Sequence, residues 1–186
     1  MTDLAGSAGA ALLPLLQNDY AQAAIVAENE ARLVTERLAY DSPKGRINGY
    51  LARAQEKGKR PVVLVIHENR GLNPHLEDVA RRFALEGFLA YAVDLLSLVG
   101  GTPASEDEAR ALHPKMNQDD AVAALVAGVS LLKQHGESTG KVGAVGFCIG
   151  GLMVNRLAVS SGELDAGVAY YGRQVPAADV PKIRPR

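Results

Sequence analysis

V-G-A-V-G-F-C-I-G-G, residues 142–151, is the stretch around which the rest of the chain is organised. Small and β-branched residues lead in, Gly146 and Gly150 bracket the single cysteine, Cys148, and an apolar segment follows. This order predicts a buried strand, a very tight turn and a helix. A side chain at the middle of such a turn is pushed out at the top of the sheet, above a helix N-terminus. Glycines flank it because strand and helix leave no room for a Cβ. The pattern is G-x-C-x-G, a nucleophile elbow with cysteine where serine more often stands. Three plainer readings stand beside it. A lone cysteine is often a small core hydrophobe. A glycine-rich turn can cradle phosphate, although Gly143, Gly146 and Gly150 do not fit G-x-G-x-x-G and the Walker pattern is absent. Helix–strand packing without chemistry is the third.

Working outward, 186 residues suit one domain with a sizeable core. Hydrophobic residues make up 47% and charged residues 22%, and Lys plus Arg total 20 against 21 for Asp plus Glu. A net charge of -1 points to neither nucleic acid nor an anionic membrane as partner. One cysteine forms no internal disulfide. The four histidines, His67, His75, His113 and His135, lack metal-ligand spacing, so no metal site is expected.

Residues 4–16 are apolar and small, too short to span a bilayer and similar to a signal-peptide h-region, with Ala21-Gln22-Ala23 as an A-x-A-like end. The basic start of such a signal is missing. Residues 1–23 are therefore expected to be a signal-like or disordered segment outside the domain, which would run over 24–186. An export signal would make the protein extracytoplasmic, and a packed extension would leave it cytoplasmic.

Residues 34–40 and 47–54 read as strands joined by Ser42-Pro43-Lys44-Gly45, an antiparallel hairpin at a sheet edge. P-V-V-L-V-I, residues 61–66, is a continuous apolar run of the kind covered on both faces in a parallel sheet. It ends in His67-Glu68-Asn69-Arg70-Gly71. Asn73 and Pro74 then open a helix with Leu76, Val79, Ala80 and Phe83 as its buried stripe and Gly87 as its stop. Residues 88–93 are the next buried strand, closed by Asp94. Residues 104–112 read as helical. Asp119 or Asp120 is expected to start a longer helix ended by Gly136, and 166–169 to be another buried strand. A hairpin followed by β–α units predicts an α/β fold with a mostly parallel sheet. The strand ends at Glu68, Asp94 and Cys148 should meet on one edge, where such sheets bind ligands.

H-E-N-R-G-L at 67–72, A-V-D at 92–94, G-F-C-I-G-G at 146–151 and A-Y-Y-G at 169–172 resemble the dienelactone hydrolase family of α/β-hydrolases. The resemblance runs from about Thr35 to the C-terminus. It implies an α/β-hydrolase-type sheet, mostly parallel with an antiparallel N-terminal edge hairpin. It also implies hydrolysis of small ester or lactone substrates by a Cys–His–Asp triad, without metal or cofactor. Cys148 matches the nucleophile, Glu68 the carboxylate that contacts the thiol, and the backbone N–H groups of Asn69 and Ile149 the oxyanion hole. Family members continue into two more strands that carry the triad Asp and His, and this sequence has neither, so a truncated domain lacking the last strands and helix is expected. The edge at 166–169 would then be open to pairing with a second copy. A catalytically impaired remnant and a thioesterase- or lipase-like relative are the alternative readings.

A thiol attacks as its thiolate, which the helix N-terminus beneath the elbow favours. Glu68 can accept the thiol proton when substrate displaces water, although on position alone it would read as a solvated loop acid. His67 and Arg70 flank Glu68 and, with Tyr170 and Tyr171, are candidate cleft-lining residues. Strand-end packing is the plainer role for His67 and a surface ion pair for Arg70. Asp94 reads as a structural cap. His113 and Arg110 are remote candidates.

Overall fold

The computed structural model describes residues 24–183. The two most apolar runs sit at the centre of the sheet. β3, Arg60–Ile66, is buried along nearly its whole length, and β4, Leu89–Asp94, is buried throughout. Their side chains alternate between two separate cores, as the period-two geometry of a strand requires. Val62, Leu64, Ile66, Leu89, Tyr91 and Val93 face one side, while Val63, Val65, Ala90 and Ala92 face the other. Each face is covered by helices, which is why neither strand shows a polar stripe.

Helix α1, Pro74–Leu85, covers the second face with Leu76, Val79, Ala80 and Ala84. Asn73 caps it by accepting the Leu76 N–H, as expected, and Gly87 leaves it at φ 90°. Phe83 is only half-buried and packs edge-on against Phe88. The short helix α2, Glu106–Leu112, lies at the strand ends. Helix α3, Gln118–Lys133, covers the first face with Leu125, Val129 and Leu132. It starts one or two residues before the expected aspartates, because the Asn117 side chain accepts the N–H groups of both Asp119 and Asp120. It also ends at Lys133, short of Gly136.

The sheet is completed by β1, Leu33–Ser42, β2, Gly45–Ala54, β5, Ser138–Phe147, and β6, Ala166–Tyr170. Among the described residues its order is β1-β2-β4-β3-β5-β6. β1, β2 and β4 pair antiparallel, and β4, β3, β5 and β6 pair parallel. The expected hairpin is therefore present, with β1 as its edge. The chain leaves β3 for β4 on one side and later returns to β5 on the other. The end of β3 thus borders the point where the winding reverses, which is where open α/β sheets form a crevice.

β6 is not the buried strand that its apolar composition suggests, but it is the open sheet edge that the family resemblance implies. Ala166, Gly167 and Val168 are exposed, Val168 at 50%. Among the described residues β6 pairs only with β5, and it forms the second edge of the sheet. Apolar composition alone read as burial there. The expectation for residues 1–23 falls outside the described residues. From residue 25 the chain is docked: Ile25 and Val26 donate backbone N–H groups to the buried Asp78 carboxylate, and Arg81 donates to the Val26 carbonyl.

Candidate active site

Helix α4, Ile149–Ser160, follows β5 with one residue between them, Cys148. That residue is forced to φ 56° and ψ -114°, a conformation that costs a side-chain-bearing residue about 1–3 kcal/mol. The thiol is exposed. The glycines are a packing requirement. A Cβ on Gly146 would overlap the Gly150 carbonyl, and one on Gly150 would overlap the carbonyls of Ile66 and His67. The first turn of α4 is thereby pressed against the end of β3, which brings the elbow beside the Glu68 loop. Ile149 opens α4, so its N–H is among those a helix leaves without an internal acceptor.

A further strand end, that of β6, converges here. The Cys148 N–H donates to the Tyr170 carbonyl at 3.0 Å, tying the elbow to β6. The next residue, Tyr171, also has positive φ, 41°, and its hydroxyl donates to Glu68 Oε1 at 2.5 Å. Glu68 itself is half-buried and Asn69 is exposed. The Tyr170 ring stacks on Phe147, with centroids 5.1 Å apart. Arg70 forms an ion pair with Glu106 at 3.0 Å and so ties the Glu68 loop to α2.

His67 is not a cleft-lining residue. It is 2% exposed and both ring nitrogens are engaged. Nε2 accepts the Leu95 N–H at 3.0 Å, which puts the ring proton on Nδ1, where it is donated to the Glu68 carbonyl at 2.5 Å. Burial holds its pKa below the ordinary histidine value, against the opposing pull of the Glu68 carbonyl and Asp94. Asp94 is the cap the sequence suggests: its carboxylate accepts the N–H groups of Leu96 and Thr102 and the Thr102 hydroxyl. A cavity of about 470 Å³, bordered by Arg37, Asn48, Leu72, Glu77 and Thr102, has neither Cys148 nor Glu68 in its wall. Among the described residues no cluster of His, Cys, Asp and Glu could hold a metal ion.

Two features escaped the sequence reading. The Tyr171 hydroxyl reaches Glu68 across 103 residues of sequence, and A-Y-Y-G gave only a hint of it. The Leu95 N–H is a backbone group and leaves no trace in residue types. Chemically, the strand ends present an exposed thiol on a strained turn, a carboxylate held by a phenol, and a helix N-terminus facing the same loop.

A profile of the dienelactone hydrolase family matches residues 47–184. The hydrolase fragment YghX of Escherichia coli K12 is 46% identical over 110 residues, which are 58% of this chain and 94% of that one. A protein of Methylorubrum extorquens AM1 named as a carboxymethylenebutenolidase is 30% identical over 154 residues, 81% of this chain and 53% of its own. The chain spans about half the length of the curated relatives that carry this name. Among solved structures, one described as a dienelactone hydrolase from Klebsiella pneumoniae superposes with a TM-score of 0.67 at 28% identity, covering 77% of this chain and 62% of that one. The six-stranded mixed sheet, the cysteine elbow and the match over 47–184 agree, and the chain belongs to the dienelactone hydrolase family.

Proposed function

We propose that this chain carries the acyl-transfer half of a small-ester or lactone hydrolase, with Cys148 as nucleophile. The observation that carries the reading is the backbone of Cys148, a strained positive-φ residue with an exposed side chain at the tip of the β5–α4 turn. Strain of this kind persists where the surrounding structure over-determines it, and it clusters at reactive positions.

The Cys148 thiol gives its proton to Glu68, and the sulfur adds to the ester carbonyl carbon. The oxygen takes the negative charge, and the N–H groups of Asn69 and Ile149 receive it. Each such donor is worth about 2.7–4 kcal/mol in comparable sites. The tetrahedral species then expels the alkoxide, which takes the proton from Glu68, and a thioester remains on Cys148. The Tyr171 hydroxyl occupies one Glu68 oxygen and leaves the other for the thiol. Hydrolysis of the thioester needs a base for water. His67 cannot serve, because both its nitrogens are engaged. Glu68, a carboxylate again once the alkoxide has left, is a base at the thioester, but it draws a proton from water (pKa about 15.7) far less readily than from a thiol (about 8.5), so acylation is expected to outrun deacylation in this chain. The fuller activity that relatives' names describe, opening of a butenolide-type lactone, is the substrate class proposed for the whole protein.

The test is stopped-flow release of p-nitrophenolate from p-nitrophenyl acetate. A burst of about one equivalent per chain, then a slow phase, is expected for a nucleophile that acylates faster than it turns over. Cys148→Ala should abolish the burst and Glu68→Gln should slow it. A burst that survives Cys148→Ala would remove the reading.

A further inference from the structure

The oxyanion donor assigned to Asn69 is one end of a peptide group whose other end is the Glu68 carbonyl. No peptide bond among the described residues is cis, so this group is a rigid trans plane with its C=O and N–H pointing in opposite directions. Whatever fixes the carbonyl therefore fixes the N–H. The group that fixes it is the His67 Nδ1–H, 2.5 Å from the Glu68 oxygen. The ring has little freedom of its own, being 2% exposed and anchored at Nε2 by the Leu95 N–H at the end of β4. The order of contacts is thus Leu95 N–H, imidazole, Glu68 carbonyl, Asn69 N–H. A carbonyl that accepts a hydrogen bond also polarises its own peptide, which strengthens the N–H as a donor.

We propose that His67, as its neutral Nδ1–H tautomer, is a positioning residue that aims the Asn69 N–H at the oxyanion through the Glu68–Asn69 peptide. This rests on the reading of Asn69 and Cys148 given above. The neutral form is required because a proton on Nε2 would face the Leu95 N–H donor. The charged and titratable groups that act on the ring are Asp94, Glu68 and His113. A buried histidine that merely fills space would behave differently in two ways. It would not care which ring nitrogen is imitated, and it would affect every reaction of the thiol equally.

Both differences can be read. In His67→Asn the carboxamide N–H stands near the Nδ1 position and can still donate to the Glu68 carbonyl. In His67→Gln the carboxamide reaches the Nε2 position and can still accept from Leu95, but the Nδ1 donor is gone. Acylation of Cys148 by p-nitrophenyl acetate develops an oxyanion. Alkylation by iodoacetamide, a displacement at saturated carbon, does not. His67→Gln is expected to slow acylation at least about tenfold, less than the ~10²–10³ of deleting a donor outright, with alkylation within about twofold of wild type. His67→Asn should recover most of the acylation rate. Equal loss in both reactions, or a His67→Gln variant as fast as His67→Asn, would overturn the proposal. Should either variant fail to fold, the imidazole ¹⁵N spectrum of the wild-type protein decides. A proton on Nδ1 with a lone pair on Nε2 is expected, and the opposite tautomer overturns the proposal. A wild-type burst that survives Cys148→Ala removes the nucleophile reading and this proposal with it. A Cys148-dependent burst indifferent to His67→Gln removes this proposal alone.

Discussion

The ends of β3 and β4 and the ends of β5 and β6 lie on the same edge of one sheet and are built in opposite ways. At β3 and β4 the polar groups are buried and paired. Asp94 is 6% exposed and accepts from Leu96 and Thr102, and His67 is 2% exposed with both nitrogens bonded. At β5 and β6 the backbone is strained and the side chains face outward. Cys148 and Tyr171, with φ of 56° and 41°, are the non-glycine residues with positive φ among those described, and Tyr171 is 71% exposed. A reacting group must be reachable and a group that positions it must not move, so one edge carries both kinds of construction. The link between them is Glu68, which follows the rigid strand and accepts the Tyr171 hydroxyl from the strained one.

The contrast can be broken most severely at the seam. Gly150→Ala would drive a Cβ into the backbone carbonyls of Ile66, the last residue of β3, and of His67 beside it, and neither can move without disturbing the end of the central strand. It is expected to cost above about 4 kcal/mol or to prevent folding, measured by urea denaturation and soluble yield. Next comes the core on the rigid side. Leu64 is fully buried, and Leu64→Ala should cost about 2–5 kcal/mol.

The pH dependence of stability should belong to the rigid side as well. Burial holds His67, His75 and His113 below the ordinary value of 6.5, with Arg82 adding to the effect at His75 and His113 at His67. The unfolded chain takes up these protons near pH 6.5 and the folded chain resists until lower pH. Stability is therefore full above that range and is lost as pH falls through it. His67, the most buried of the three, should set the steepest part, at up to about 1.4 kcal/mol per pH unit. Urea midpoints between pH 7.5 and 5.5 check this, and a midpoint that rises on acidification would contradict it. The smallest effect is expected on the exposed edge. Val168→Ala should leave stability within about 0.5 kcal/mol. A cost as large as that of Leu64→Ala would mean that β6 is covered in solution.

The same contrast explains what could be read from residue types. The apolar runs of β3 and β4, the Asn73–Pro74 start of α1 and the G-x-C-x-G turn are local signals, and the fold and elbow follow from them. At β6 the residue types and the resemblance disagreed: A-G-V-A-Y reports apolarity and reads as burial, while the open edge was legible only from the strand order of the family, because burial depends on a further layer that five residues cannot announce. Asn117 displaced the aspartates as helix cap because one side-chain oxygen accepts two N–H groups, a geometry that composition does not rank. His67 was visible as a strand-end residue, yet its role hangs on the Leu95 backbone, 28 positions away. Tyr171 shows the same limit, since positive φ at a tyrosine is imposed by tertiary structure and has no residue signature.

The central claim is that Cys148 becomes acylated, and mass spectrometry addresses it without kinetics. The protein is mixed with p-nitrophenyl acetate, quenched in acid within the burst and digested with trypsin. One acetyl group is expected on Cys148 in the peptide of residues 142–156, and none on that peptide after Cys148→Ala. An unmodified 142–156 peptide with acetyl on Tyr171 or on surface lysines would contradict the account.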